Sequence, residues 1–516
     1  MPTLKIDIAD MPEGKMQVFD ADGQKVLVAR VDGQIYAVQA QCPHYGGDLS
    51  QGALCGYRVV CPLHHAAFDV RDGALLEPPA LDGLQRYSLR RVGEQVEVDL
   101  PSAPEVSQPP PRGPRRPRRV LILGGGAGGL AAAQALREQG FTGQVRLLSA
   151  QPLPPYDRPN VSKDYLAGKA KPEWMPLRPE AWYRDWNVDL DLDTHVREVD
   201  VQNRVLRVER KDDQPYDTLI VATGGTPRRL DVPGADLPGV EVLRRQEDAD
   251  RIRQQLSGAR HLVVIGASFI GLEAAASLSG QPGLTVSVVG QDRVPFGRVL
   301  GEALGKAVQR EHEAHGVTFY LGVEVARLEG DTRVEAVVLR SGLRLPADVV
   351  LQGIGVAPAT GLLPARLRNE RGEVLVDDHL RAAPDLFAVG DIARYPDVRF
   401  GGTLRTEHWR VALQQGRVAG ANAAGQDVVF DAVPFFWTRQ YGKSIRYLGH
   451  AEGWDELVTW GDPDALACMT FFVQGGEVRA VAECGFPAQM AAAECLLRER
   501  KLPDPQHLRE RPFQLG

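Results

Sequence analysis

Cys42-Pro43-His44 and Cys61-Pro62-Leu63-His64 place two thiols and two imidazoles on a pair of short, proline-stiffened loops. Zinc accepts two cysteines and two histidines, usually as a cysteine pair on one knuckle and a histidine pair elsewhere. Here each loop supplies one of each. That split suits a [2Fe–2S] cluster with two thiolates on one iron and two imidazoles on the other. Gly46, Gly47 and Gly52 permit the tight turns such loops need. The candidate metal ligands are Cys42, His44, Cys61 and His64. His65 competes with His64 on composition alone, and the spacing favours His64.

The loops need a rigid platform. Residues 1–100 alternate apolar and polar positions, as in Val26 to Val31 and Gly33 to Val38, and turn signals fall at Asp32-Gly33, Asp72-Gly73 and Asp82-Gly83. This pattern predicts a small all-β domain of hairpins with both ligand loops at one tip, and it resembles the Rieske family. High-potential members of that family add a cysteine to each loop and a hydroxyl after the second histidine. Leu63 and the run His65-Ala66-Ala67 lack these, which implies a potential at the low end of the Rieske range. Residues 101–119, rich in proline and arginine, read as a semi-rigid linker that reaches about 60 Å at roughly 3.1 Å per residue.

Beyond the linker, Val120-Leu121-Ile122-Leu123 reads as a buried strand. It leads into Gly124-Gly125-Gly126-Ala127-Gly128-Gly129 and a helix from Leu130 to Gln139. This is G-x-G-x-x-G between a strand and a helix, where backbone amides and a helix N-terminus receive a pyrophosphate. The ribose-binding acid expected about twenty residues on is absent, and Gln151 is its candidate replacement. The pattern recurs after Leu262 to Ile265 as Gly266-Ala267-Ser268-Phe269-Ile270-Gly271, with Ser268 in place of a glycine. Leu219 to Gly225, containing Ala222, Thr223 and Gly224, and Leu386 to Asp391, containing Gly390 and Asp391, are two further strands ending in glycine turns.

Together these stretches resemble the flavoprotein reductases with two dinucleotide-binding domains. Pro155-Tyr156-Asp157-Arg158-Pro159-Asn160-Val161-Ser162-Lys163 resembles the signature of ferredoxin reductases that serve bacterial oxygenases. A redox cysteine pair marks the disulfide reductases of the superfamily near this point, and no cysteine occurs there. The resemblance implies FAD at Gly124, Gly126, Ala127, Gly129, Gln151, Arg158, Lys163, Ala222, Thr223, Gly224, Gly390, Asp391, Glu407, His408 and Trp409, with Trp437 as a flavin neighbour. It implies NAD(P)H at Gly266, Ser268, Phe269, Ile270, Gly271, Glu273, Asp292 and Gly355. Lys163 and Glu273 are carried over as the catalytic charged pair beside the flavin. The second nucleotide strand ends at Gly290-Gln291-Asp292-Arg293. Asp292 there favours NADH, while Arg293 leaves NADPH possible.

The expected architecture is multidomain: a Rieske domain (1–100), a linker (101–119), an FAD-binding domain in two parts (120–238 and 353–428) around an NAD(P)H-binding domain (239–352), and a C-terminal α+β interface domain (429–516). The two nucleotide units are α/β and Rossmann-like. In the last domain, Ala467 to Val473 and Val478 to Ala482 read as a hairpin, and Ala488 to Lys501 as a helix. A net charge of −7 does not favour nucleic acid as a partner. No apolar run is long enough to span a membrane, and Met1 to Gly14 lacks a signal-peptide core. Cys55, Cys468, Cys484 and Cys495 read as ordinary buried or free thiols, which suits the cytoplasm.

A nicotinamide gives two electrons as hydride, a [2Fe–2S] centre takes one at a time, and a flavin mediates between them. The expected activity is electron transfer from NAD(P)H through FAD to the chain's own cluster. An unidentified one-electron acceptor follows, and the chain works as a monomer or homodimer. The whole chain resembles the apoptosis-inducing factor-like proteins, so the alternative is a redox-responsive binding protein with slow turnover. A self-contained terminal reductase is disfavoured, because no further metal ligand set is visible.

Overall fold

A computed structural model describes residues 3–21, 23–100, 118–511 and 513; the body of the proposed linker lies outside the described residues. Residues 3–99 form three small antiparallel sheets. The hairpin Gln24–Val31 to Gln34–Gln39 turns at Asp32 and Gly33, both with positive φ (52° and 73°), the backbone a two-residue primed turn needs.

Two nested α/β units follow. Val120 to Leu123 is buried along its whole length, as suits a strand covered on both faces. It lies in a six-stranded sheet, parallel except for the edge strand Arg381–Ala383. Thr218–Val221 and Leu386–Ala388 pair in parallel there, Leu219 opposite Leu386, although a second unit separates them in sequence. That unit is a five-stranded parallel sheet in the order Val240–Val242, Val349–Gln352, His261–Ile265, Thr285–Gly290, Val317–Leu321.

The helices Ala127–Glu138 and Trp409–Ala423 cross closely over the first sheet. A Cβ at Gly416 would lie 2.2 Å from the Gly128 carbonyl oxygen, and one at Gly420 2.4 Å from that of Ala132. The two glycines let the second helix bring His408 and Trp409 to the glycine-rich turn. The C-terminal unit is a five-stranded antiparallel sheet with the helix Pro487–Arg498 on it. Its strands Ala467–Gln474 and Glu477–Cys484 form the expected hairpin. No helix among the described residues is long and apolar enough to cross a membrane.

One expectation fails. Cys55 and Cys495 are not free thiols but a disulfide linking the first domain to the C-terminal helix. Two isolated cysteines 440 residues apart carry no pairing signal in sequence; only the docking of the two domains brings them together. Cys468 and Cys484 are free and buried, as expected.

Candidate active site and metal centre

The two ligand loops are built alike. The Cys42 amide donates to the Gly47 carbonyl (2.8 Å) and Gly46 to Cys42 (2.9 Å), while Cys61 donates to Ala66 (2.8 Å) and His65 to Cys61 (3.1 Å). Gly46 and His65 hold the equivalent left-handed position, with φ of 69° and 60°. His65 is thus turned away from the metal position: its ring is fully buried, stacks on Phe435 at 3.9 Å and bonds Glu494. His44 and His64 instead face each other, Nδ1 to Nδ1 at 3.2 Å.

Burial lowers the His44 pKa to about 4 and holds His64 well below its ordinary value. Both imidazoles therefore offer lone pairs at neutral pH. The Cys42 thiol is raised, chiefly by its hydrogen bond to Cys61, and Cys61 is lowered by the same bond. Two hydrogen-bonded thiols and two adjacent imidazole nitrogens on paired loops fit a cluster with Cys42, Cys61, His44 and His64 as ligands.

A cleft of about 420 Å³ opens at the first glycine-rich turn. Gly124, Gly126, Ala127, Gln151, Arg158, Ala222, Thr223, Gly224, Gly390, Asp391, Glu407, His408 and Trp409 line it. Gly129 lies just inside, where a Cβ would meet the Gly124 carbonyl at 2.0 Å. The Gln151 carbonyl accepts the Tyr156 hydroxyl (2.9 Å), and Asp391 pairs with Arg244 at 2.6 Å. Thr223 Oγ1 and His408 Nδ1 are buried without a hydrogen-bond partner among the described residues. Burial brings the His408 pKa down to about 3. Orphaned polar atoms along a groove of this size fit a bound dinucleotide.

Lys163, which is not itself among the cleft-lining residues, holds one that is: its Nζ lies 2.8 Å from Glu273. Ser162 Oγ donates to one Glu273 oxygen (2.5 Å) and Thr438 Oγ1 to the other (2.7 Å). Ile270 and Glu273 line the same cleft, so the second nucleotide unit reaches the first here. Ser268 caps its helix, accepting the Gly271 amide (3.2 Å) and donating to the Gly353 carbonyl (2.7 Å). That is how serine replaces the second glycine. Gly266 has a φ of 109° and Gly355 one of 93°, while Phe269 stacks on Phe296 at 4.3 Å. Asp292 lies at the far strand tip, outside the cleft-lining residues.

Trp437 is not among the cleft-lining residues. Its ring lies 4.4 Å from His64 and 6.3 Å from His44. The strand Phe435–Gln440 alternates: Phe435 and Trp437 meet the cluster domain, while Thr438 and Gln440 meet the nucleotide units. Around this strand the first domain is fastened to the reductase. Arg446 donates to the Leu63 carbonyl (2.9 Å), and fully buried Arg410 to those of His65 (2.9 Å) and Pro78 (2.8 Å) and to Glu494 (2.7 Å). Glu77 bonds Gln414 and Arg498, and Tyr45 bonds Asp157. Sequence alone flagged none of these fasteners, because a buried arginine has no spacing signature.

The fold and these sites define a flavin-dependent reductase joined to an iron–sulfur domain. Residues 118–416 match the pyridine nucleotide-disulphide oxidoreductase family, 3–88 the Rieske [2Fe-2S] domain and 435–516 the reductase C-terminal domain. The chain belongs to the pyridine nucleotide-disulphide oxidoreductase family and is an FAD-dependent NAD(P)H oxidoreductase carrying a Rieske cluster. It is 34% identical over 511 residues to apoptosis-inducing factor 3 of Homo sapiens, covering 96% of this chain and 84% of that one. It is 35% identical to the ferredoxin–NAD(+) reductase component of the biphenyl dioxygenase system of Paraburkholderia xenovorans, over 66% of this chain and 84% of that one. The ferredoxin reductase for the CYP199A2 system of Rhodopseudomonas palustris superposes with a TM-score of 0.73 at 31% identity, over 77% of this chain and 98% of that one. The reductase of the covalent putidaredoxin reductase–putidaredoxin complex gives 0.71 at 31% identity, over 76% and 95%.

Proposed function

We propose that this enzyme passes electrons from NAD(P)H through FAD to its own Rieske cluster, and from there to a one-electron acceptor. When bound, flavin and cluster supply the conversion of a hydride into single electrons. The observation that carries the reading is the seating of the cluster loops: His64 lies against Trp437, one residue from the Thr438 that holds Glu273. One strand thus separates the nucleotide cleft from the metal ligands.

The residues divide the work. Lys163 and Glu273 form a charged pair at the meeting of the two nucleotide units, and Ser162 and Thr438 fix the carboxylate so that it keeps one orientation. The glycine-rich turns and helix N-termini take the pyrophosphates. Arg410, Arg446 and the Cys55–Cys495 link hold the ligand loops in place without a diffusional encounter. The domain occupies the role that a separate ferredoxin plays beside the related stand-alone reductases.

The test is anaerobic reduction by NADH and by NADPH, following flavin bleaching together with the electron paramagnetic resonance of the reduced cluster. Cys61→Ser should abolish the cluster signal and leave ferricyanide reduction at the flavin. A wild-type protein whose flavin bleaches while its cluster stays oxidised would rule out the internal route.

A further inference from the structure

The second nucleotide strand, Thr285–Gly290, runs parallel to His261–Ile265 and ends one residue beyond that strand, level with the start of the glycine-rich turn. In a dinucleotide fold this tip faces the adenosine ribose: an acid there binds the 2′-hydroxyl of NAD, and an arginine nearby accommodates the 2′-phosphate of NADP. Here the tip residue is Gly290. A Cβ on it would lie 3.1 Å from the Ala267 Cβ and 3.0 Å from Leu321, so the position is tight against the turn and carries no carboxylate.

The two nearby acids each pair with an arginine at the surface. Asp292, which in sequence favoured NADH, pairs with Arg298 at 2.5 Å. Glu324, on the loop whose neighbour Val323 bonds the Gly290 carbonyl, pairs with Arg340 at 2.6 Å. Arg293 is exposed and makes no hydrogen bond or ion pair among the described residues. The stem of Arg293 runs beside Gly322, where a Cβ would lie 3.6 Å from its Cγ.

We propose that the turn from Gly290 to Arg298 selects NADPH over NADH, with Arg293 as the 2′-phosphate contact and Arg298 withholding Asp292 from the ribose. This rests on the reductase reading above and names its electron donor. A dianionic phosphate beside an unpaired guanidinium, with the two neighbouring carboxylates each paired to another arginine, is favoured by charge-assisted hydrogen bonding. A ribose hydroxyl at the same place finds no carboxylate on the strand-tip residue, Gly290.

The experiment is calorimetry on the full-length holoprotein with adenosine 2′,5′-bisphosphate and with ADP, in parallel with flavin reduction by NADPH and NADH. The 2′-phosphorylated ligand should bind at least tenfold tighter at low salt, with the advantage shrinking as salt rises. R293Q should bring the two ligands within about twofold and raise KM for NADPH by a larger factor than it changes kcat. R298Q, which frees Asp292, should move the preference toward NADH. Equal or tighter ADP binding by the wild type, or a preference that survives R293Q, overturns the proposal. Failure of both nucleotides to bleach the flavin would instead overturn the reductase reading, and the calorimetry would still decide the 2′-phosphate contact.

Discussion

Glu494→Gln is the sharpest probe of how the cluster domain is held. The Glu494 carboxylate is fully buried and meets Arg410 at 2.7 Å, the His65 ring, and Arg58 at 3.8 Å. Burial alone would raise its pKa, but the Arg410 charge, with a hydrogen bond from His65, outweighs it and keeps the group ionised. Burial brings His65 down to about 4, so that ring is neutral at pH 7 and Arg410 is the principal counter-charge. The substitution keeps volume and shape while stranding a guanidinium that has no exposed surface. Removing one partner of a buried pair costs about 3–5 kcal/mol, whereas removing both is often near neutral. Urea titrations followed by the visible circular dichroism of the cluster should therefore show Glu494→Gln destabilised by about 3–5 kcal/mol. The double variant Glu494→Gln/Arg410→Met should recover most of that loss. Arg410 also serves the His65 and Pro78 carbonyls, so recovery should fall short by about 1 kcal/mol for each carbonyl bond left unmade. A double variant as unstable as the sum of the two singles would refute the idea that the stranded charge is the cost.

Two further outcomes follow from buried contacts elsewhere in the molecule. Hydrogen bonds from Arg394 and then Asn369 hold the Glu373 pKa down to about 2, against an ordinary 4.5. Its stabilising share, about 3 kcal/mol at roughly 1.4 kcal/mol per unit, is full above about pH 4.5 and lost as the pH falls through about 2. The penalty of Glu373→Gln, from urea titrations at pH 7 and near pH 2.5, should therefore shrink toward the acid side, and an equal penalty at both would exclude this assignment. Digestion without reductant should release Cys55 and Cys495 in one linked peptide, whereas alkylation of both thiols in the unreduced protein would show that the link is absent.

What could be read from the chain, and what could not, follows a physical division. Gly124, Gly266 and their partners were legible because local backbone geometry demands them: both have positive φ, and a Cβ on either would strike a neighbouring carbonyl. The ligand spacing of Cys42, His44, Cys61 and His64 was legible for the same reason, since each loop closes on itself. Arg410 and His65 lie 345 residues apart, and His65 and Glu494 429. Their meeting is decided by how finished domains pack, and no local pattern encodes that. Thr438 became visible as a Glu273 partner only once its strand was known, because period-two alternation then puts it opposite Trp437. The placement of Trp437 against the cluster loops rather than along the cleft has the same cause.

The near-identity of the two ligand loops has one more consequence. Where the first loop turns on Gly46, the second turns on His65, which anchors it in the reductase; Pro62, His65 and Ala66 are buried, while Pro43, Tyr45 and Gly46 are exposed. The pair of knuckles is therefore handed: the second is buried in the reductase, while the first touches it through Tyr45 and leaves Pro43 and Gly46 exposed. The second is constrained by its own turn and by the reductase around it, whereas Pro43 and Gly46 answer to the turn of their own loop, with the left-handed φ of 69° at Gly46.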